Sequence, residues 1–253
     1  MRKCFAIIRY EYSMQLKRIA TWVVLFSACI IALIDSLPTT KNLARLEFLN
    51  EPTYYIYRSM SFDALVLLFG LVFLLSSRFP LDRKTGVKNL FMASNITKLH
   101  YICGKLLAGF LYTYTMLALF LSIKVLAYTL VAPFDVSITE CIAALIKTLV
   151  ICALPASLFT GFISVALPTV IDIRLFYVLI SVLFFVNAFS SKSANSMPFY
   201  LITSGDLTKL IWQHPAWPFT NTGSIEANLL FLVGGGTLSG MLLFLKRKFW
   251  RDE

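Results

Sequence analysis

The chain has 253 residues, of which 58% are hydrophobic and only 14% charged, with a mean hydropathy of +0.76. Ordinary globular chains carry about 25% charged residues, so there is too little polar surface here to cover a water-soluble body, and the same figures exclude a disordered chain. The net charge is nevertheless +10, from 23 Lys and Arg against 13 Asp and Glu; in an apolar chain that excess points to membrane topology, whose cytoplasmic loops hold Lys and Arg, and not to nucleic acid.

Residues 1–19 predict an amphipathic helix. At 100° per residue, Phe5, Ile8, Tyr12, Leu16 and Ile19 share one stripe, flanked by Arg2, Arg9, Ser13 and Lys17. That is the pattern of a helix lying on a membrane surface. Ile7, Tyr10 and Met14 form a second, weaker stripe that suits packing on the rest of the protein or on a partner. Phe26-Ser27-Ala28-Cys29 loosely resembles a lipoprotein cleavage site. The apolar run continues to Ile34, however, and the basic stretch before it reaches Arg18, so a retained membrane helix is expected.

A spanning helix needs about 20 mostly apolar residues. Six segments approach that length, at 20–37, 62–77, 106–131, 141–171, 175–189 and 227–245. The third is long enough to tilt. Pro155, Gly161 and Pro168 interrupt the fourth, where each proline removes a backbone donor and favours a kink. Gly236 and Gly240 form a GxxxG in the sixth, suited to close helix packing within the chain or at a dimer face. The outer connection 190–226 holds Tyr200, Trp212 and Trp217 with three prolines, which predicts a partly re-entrant or interface-lying element. Tyr54, Tyr55 and Tyr57 give the first outer loop a similar character.

The charges orient these spans. Five basic residues precede the first, six lie in the 78–105 loop, Arg174 follows the fourth, and Lys246, Arg247, Lys248 and Arg251 follow the sixth. The opposite side holds only Lys41, Arg45, Arg58, Lys192 and Lys209. Sixteen against five puts both termini in the cytoplasm, as an even number of spans requires. The expected fold is an all-α polytopic membrane protein of one domain. It has an N-terminal surface helix, six membrane helices, no soluble domain at either end and no internal repeat.

Catalytic motifs are missing. No G-x-x-x-x-G-K-[ST], HExxH or G-x-S-x-G occurs, and two isolated histidines build no zinc site. The chain is therefore not expected to be an enzyme, nor to hold a metal or cofactor of its own. The five cysteines form no CxxC and read as small buried hydrophobes. Four charges fall in or beside the spans: Asp35, Asp63, Lys124 and Lys147. Such groups are costly in hydrocarbon. They are either outer-end ion pairs and snorkelling side chains, or the polar lining of a substrate path. The loop segment Leu81 to Asn95 carries Val87, Leu90 and Phe91 at helical spacing beside Lys88. That suits a short helix meeting a partner, or a basic loop on anionic headgroups.

An amphipathic first helix, six spans, a basic loop after the second and no ATPase motif together resemble the permease subunit of type-2 ATP-binding-cassette exporters. The loop is the most specific match: Asp82, Gly86, Leu90-Phe91, Ser94, Lys98 and Lys105 follow the family's run of acid, glycine, apolar pair, small polar, basic and terminal lysine. A proline frequent in the family is replaced by Asn95-Ile96. The resemblance implies that Asp82, Gly86, Val87, Leu90 and Phe91 couple to a cytoplasmic ATP-binding subunit. It implies an elbow helix carrying Phe5, Ile8, Tyr12 and Leu16. It further implies two permeases, like or unlike, with two ATPase chains that bind ATP and Mg, in a bacterial plasma membrane. The shortness of the chain resembles the small permeases of antimicrobial-peptide immunity and bacitracin efflux. Two other readings come from the residues themselves: a self-contained channel or carrier using the four intramembrane charges, and a membrane scaffold.

The orientation is testable directly. A reporter active only in the cytoplasm keeps its activity when fused after Glu253 or inserted at Gly86, and loses it when fused after Asp135. Activity at Asp135 overturns the six-span arrangement.

Overall fold

A computed structural model describes residues 2–46, 48–87, 93, 96–189, 198–202, 207 and 222–246. Among them there is no strand. Eight helices follow in order: α1 (Arg2–Leu16), α2 (Ile19–Ser36), α3 (Thr40–Arg45), α4 (Pro52–Asp82), α5 (Lys98–Val131), α6 (Ile138–Val170), α7 (Ile173–Phe189) and α8 (Gly223–Leu245). Five of these, α2, α4, α5, α6 and α8, are long and apolar enough to cross a membrane. The sixth apolar helix, α7, has 17 residues, about 25 Å at 1.5 Å per residue, against a hydrocarbon core of about 30 Å. Five helices of spanning length therefore stand where the sequence predicts six.

Several helices run further than hydropathy alone suggests. Helix α4 begins at Pro52 and not near Phe62. Proline suits the first turn because its missing N–H has no partner there in any helix. Tyr55 and Ile56 then turn inward, joining Leu49, Tyr128, Cys141 and Ala144 in a small second core. At its other end α4 continues past Ser77, and the helical stretch Arg78–Lys84 carries it two residues beyond Asp82. Gly86 follows in the left-handed region at φ 72°, where a residue without a β-carbon stops a helix at little cost. Helix α5 starts at Lys98, with the Thr97 hydroxyl accepting from the His100 amide. The predicted 78–105 loop is thus helical at both ends.

Helix α6 widens into a π-helical turn at Leu149–Ala153, directly before Pro155. The extra residue makes room for a ring that would clash with the carbonyl four residues back. Pro168 sits in the last turn, and the next helix begins at Ile173.

Gly161 does something the sequence reading missed. A β-carbon built there would stand 2.8 Å from the backbone N and Cα of Phe110. Gly109 lies in the same contact, its own β-carbon position 3.2 Å from the Gly161 carbonyl oxygen. The two glycines let α5 and α6 cross backbone to backbone. The GxxxG also faces inward. A β-carbon at Gly236 would meet Leu158 Cδ2 at 2.7 Å, and one at Gly240 would meet Leu106 Cδ1 at 3.1 Å. This packing is therefore within the chain. Helix α2 shows the opposite arrangement. Leu25, Ala28, Cys29 and Ala32 face the bundle, while Ile19, Val23, Phe26, Ile30 and Ile34 lie exposed in a continuous apolar stripe.

Gly161→Ala should destabilise the folded protein by about 1–3 kcal/mol, the usual cost of overpacking a close-fitted contact. Gly234→Ala, whose β-carbon would meet only Leu230 at 4.0 Å, should change little. Thermal unfolding in detergent compares the two, and equal midpoints would refute the close crossing.

Candidate functional site

The sequence places four charges in or beside the spans. The structure shows two separate charge clusters, one at each end of the α4–α5 pair. The first depends on how α1 docks.

Helix α1 leans on α5. A β-carbon at Gly104 would stand 2.7 Å from Ile7 Cγ2, so glycine is what admits Ile7 there. Further along, the Tyr12 hydroxyl donates to Thr115 Oγ1 at 3.0 Å. This docking turns Ile7, Glu11 and Gln15 inward and leaves Phe5 exposed, with Ile8, Tyr12 and Leu16 half-buried. The stripe read as the main apolar face is thus the flank of the contact, and the weaker stripe supplies its centre through Ile7.

Glu11 consequently enters a buried network. The guanidinium of Arg78 donates to Glu11 Oε2 from Nη2 at 2.7 Å and from Nε at 3.2 Å. Lys105 Nζ pairs with Glu11 Oε1 at 2.8 Å and with Asp82 Oδ2 at 2.6 Å. The Tyr101 hydroxyl donates to the same Asp82 oxygen at 2.5 Å. The rings of Phe79 and Tyr101 lie 5.2 and 5.4 Å from the Lys105 ammonium. Arg78, Glu11, Asp82 and Lys105 are each at most 4% exposed. Two acids and two bases cancel, as burial demands, because an unpaired charge in this setting costs several kcal/mol. Arg78 and Lys105, counted above among the six cations of the 78–105 loop, are core residues.

Lysines also close helix ends nearby. Lys98 Nζ donates to the Phe244 carbonyl at 2.6 Å, at the end of α8, and Lys246 Nζ donates to the Thr169 carbonyl at 2.5 Å, at the end of α6. Cations placed on helix C-termini satisfy orphan carbonyls and complement the dipole.

The second cluster centres on Lys124, which is 1% exposed. Its ammonium donates to the Ala32 carbonyl at 2.9 Å, to Asp63 Oδ2 at 3.0 Å and to Ser36 Oγ. All three N–H bonds of a lysine are thereby used. Ser36 donates to Asp63 at 2.8 Å, and the Tyr55 ring lies 5.1 Å from the ammonium. Asp35 sits apart on the rim, paired with Arg45 at 2.9 Å and Arg58 at 3.1 Å. Lys147 is exposed on α6. The four predicted charges are therefore not gathered into one lining; only Asp63 and Lys124 touch.

The two clusters share a register. Asp63 and Asp82 are nineteen residues apart on α4, as are Lys105 and Lys124 on the antiparallel α5. At 1.5 Å per residue that is about 28 Å, close to one hydrocarbon thickness.

Beside the second cluster, an irregular segment enters the bundle. Tyr200, Leu201 and Ile202 are buried. Asn187 of α7 accepts from the Leu201 amide at 2.8 Å, and Asn228 of α8 donates to the Tyr200 carbonyl at 2.8 Å. The Tyr200 hydroxyl donates to the Ser61 carbonyl, in the π-helical turn of α4 that ends at Asp63. Non-helical backbone inside a bundle survives only with such partners. This segment lies within the predicted re-entrant 190–226 element, of which the structure also describes residue 207 and the start of α8.

Of the loop residues singled out, Asp82 is in the first cluster, Gly86 ends the α4 helix and Val87 is half-buried. Leu90 and Phe91 lie outside the described residues. Glu11, Arg78, Tyr101, Asn187 and Asn228 escaped the sequence reading. Glu11 had one signal: it is the only acid in a basic helix. No family model, curated protein or solved structure matches this chain.

Lys124→Met leaves Asp63 buried without its cation and should cost about 3–5 kcal/mol of stability. Adding Asp63→Leu should recover most of that loss, which denaturant titration in detergent can measure. A single variant as stable as the parent would remove the structural role assigned to the pair.

Proposed function

We propose that the chain is the membrane subunit of an ATP-driven exporter of the type-2 ATP-binding-cassette class. In this reading it forms the substrate path in a bacterial plasma membrane, with both termini in the cytoplasm and α7 as the sixth span. Energy comes from a separate cytoplasmic subunit that binds ATP and Mg. Two such permeases, like or unlike, pair with two ATPase chains. The substrate is an amphipathic or peptide antimicrobial.

The observation that carries this reading is the first charge cluster. Asp82 and Lys105 belong to the run of residues that resembles a coupling loop, and their 2.6 Å pair ties the two ends of that loop together. Glu11 adds the elbow-like α1 to the same cluster at 2.7–2.8 Å. A push on the loop at Val87 to Phe91 would then reach α1, α4 and α5 through charges that cannot separate cheaply. A carrier driven by Lys124 and Asp63 is less well supported, because the Lys124 donors are already taken by Ala32, Ser36 and Asp63.

Purification of the chain from its native membrane should bring an ATP-hydrolysing protein with it, and Leu90→Asp with Phe91→Asp should abolish that association while the chain still folds. A folded chain that never retains an ATPase overturns the reading. So does an association indifferent to the double substitution.

A further inference from the structure

We propose that the face of α1 turned away from the bundle is a binding site for an anionic phospholipid, with the headgroup on α1 and an acyl chain along α2. The inference needs only α1 and α2 at a membrane and does not depend on the ATPase reading.

The docking of α1 leaves three faces with different fates. Ile7, Glu11 and Gln15 are buried, and Ile8, Tyr12 and Leu16 form the half-buried flank. The remaining face is an open groove of about 560 Å³, lined by Phe5, Arg9, Tyr10, Ser13, Met14 and Lys17 among others. Arg9, Ser13 and Lys17 follow one another at four-residue spacing, so they stand in a single row along the helix. The two cations are about 12 Å apart at 1.5 Å per residue, with a hydroxyl between them. Among the described residues neither cation has a carboxylate partner, and the one acid of α1, Glu11, is committed to Arg78 and Lys105. The groove therefore asks for an anion.

Its continuation says what kind. Lys17 lies two residues before Ile19, which is 81% exposed and opens the apolar stripe of α2 through Val23, Phe26 and Ile30. The Trp22 indole N–H donates to the Leu16 carbonyl at 2.9 Å, at the seam between the two helices. Tryptophan at that level is the usual mark of the membrane interface. A basic row that runs into an exposed apolar stripe matches a molecule with an anionic head and a hydrocarbon tail. An acidic protein would match the row but would leave the stripe uncovered.

The test uses the full chain purified in detergent and titrated with phosphatidylglycerol or phosphatidylcholine of the same acyl chains, read by native mass spectrometry. Phosphatidylglycerol should bind roughly thirtyfold more tightly, since two interfacial cations each contribute about fivefold. Arg9→Gln with Lys17→Gln should abolish that preference and leave phosphatidylcholine binding unchanged. Arg9→Lys with Lys17→Arg should preserve it. Equal binding of the two lipids to the parent chain overturns the proposal, as does a preference that survives the double glutamine variant. Glycerol phosphate, which lacks acyl chains, must fail to displace the lipid; equal competition would make this a soluble-anion site. Displacement by polyglutamate, with no discrimination between the lipids, would assign the surface to a protein and likewise overturn it.

Discussion

A charge in hydrocarbon must be neutralised or removed, and that constraint organises the chain from end to end. Two Asp–Lys pairs lie nineteen residues apart on both α4 and α5, in antiparallel register. Each pair recruits what is needed to complete it. Lys124 draws in Ser36 and the Ala32 carbonyl of α2, and so positions α2. Lys105 draws in Glu11, which brings Arg78 with it, and so positions α1. The helices that surround the α4–α5 pair are held less by hydrophobicity, which does not distinguish protein from lipid tails, than by these polar contacts and by close glycine crossings.

The glycines and the charges divide the work by depth. Gly109 and Gly161 bring α5 and α6 together between the clusters, where the contact is backbone against backbone and involves no charge. Gly104 acts at the level of the first cluster, admitting Ile7 so that Glu11 can reach Lys105. A larger residue at Gly104 would push α1 outward and strand two charges, so a packing position and an ion pair fail together. The same coupling appears at the other end. The π-helical turn at Ser59–Asp63 both offers the Ser61 carbonyl to Tyr200 and presents Asp63 to Lys124. The seat of the irregular 198–202 segment and the second charge cluster are therefore one local structure.

Much of this was legible in the sequence, for identifiable reasons. Apolar runs of about 20 residues have one physical explanation in so uncharged a chain, and five helices of spanning length result. Asp63 and Lys124 stood out because charge is rare in such runs. Hydropathy could not show their pairing, which depends on tertiary register. Arg78 and Lys105 count with the loop cations in the sequence because they flank the apolar windows, and a charge at the edge of a window looks like a loop. Helix α4 was cut short for a related reason: Tyr54, Tyr55 and Tyr57 resemble interface anchors, yet Tyr55 and Tyr57 are buried. Gly161 reads in the sequence only as an interruption of the fourth segment, because a lone sequence cannot distinguish a flexible glycine from one facing another backbone.

The burial of Arg78 and Lys105 does not weaken the orientation argument built on sixteen cations against five. That bias acts while segments are being inserted, before α1, α4 and α5 have met, and acidic residues contribute little to it. At that stage both side chains still count as free cations beside their spans. Once the helices pack, the same two cations meet Glu11 and Asp82, and their charge disappears from the surface. Arg9 and Lys17 keep theirs on the face of α1 turned from the bundle. The basic residues of the chain thus fall into two groups: Arg78 and Lys105 build the core, while Arg9 and Lys17 stay exposed on α1.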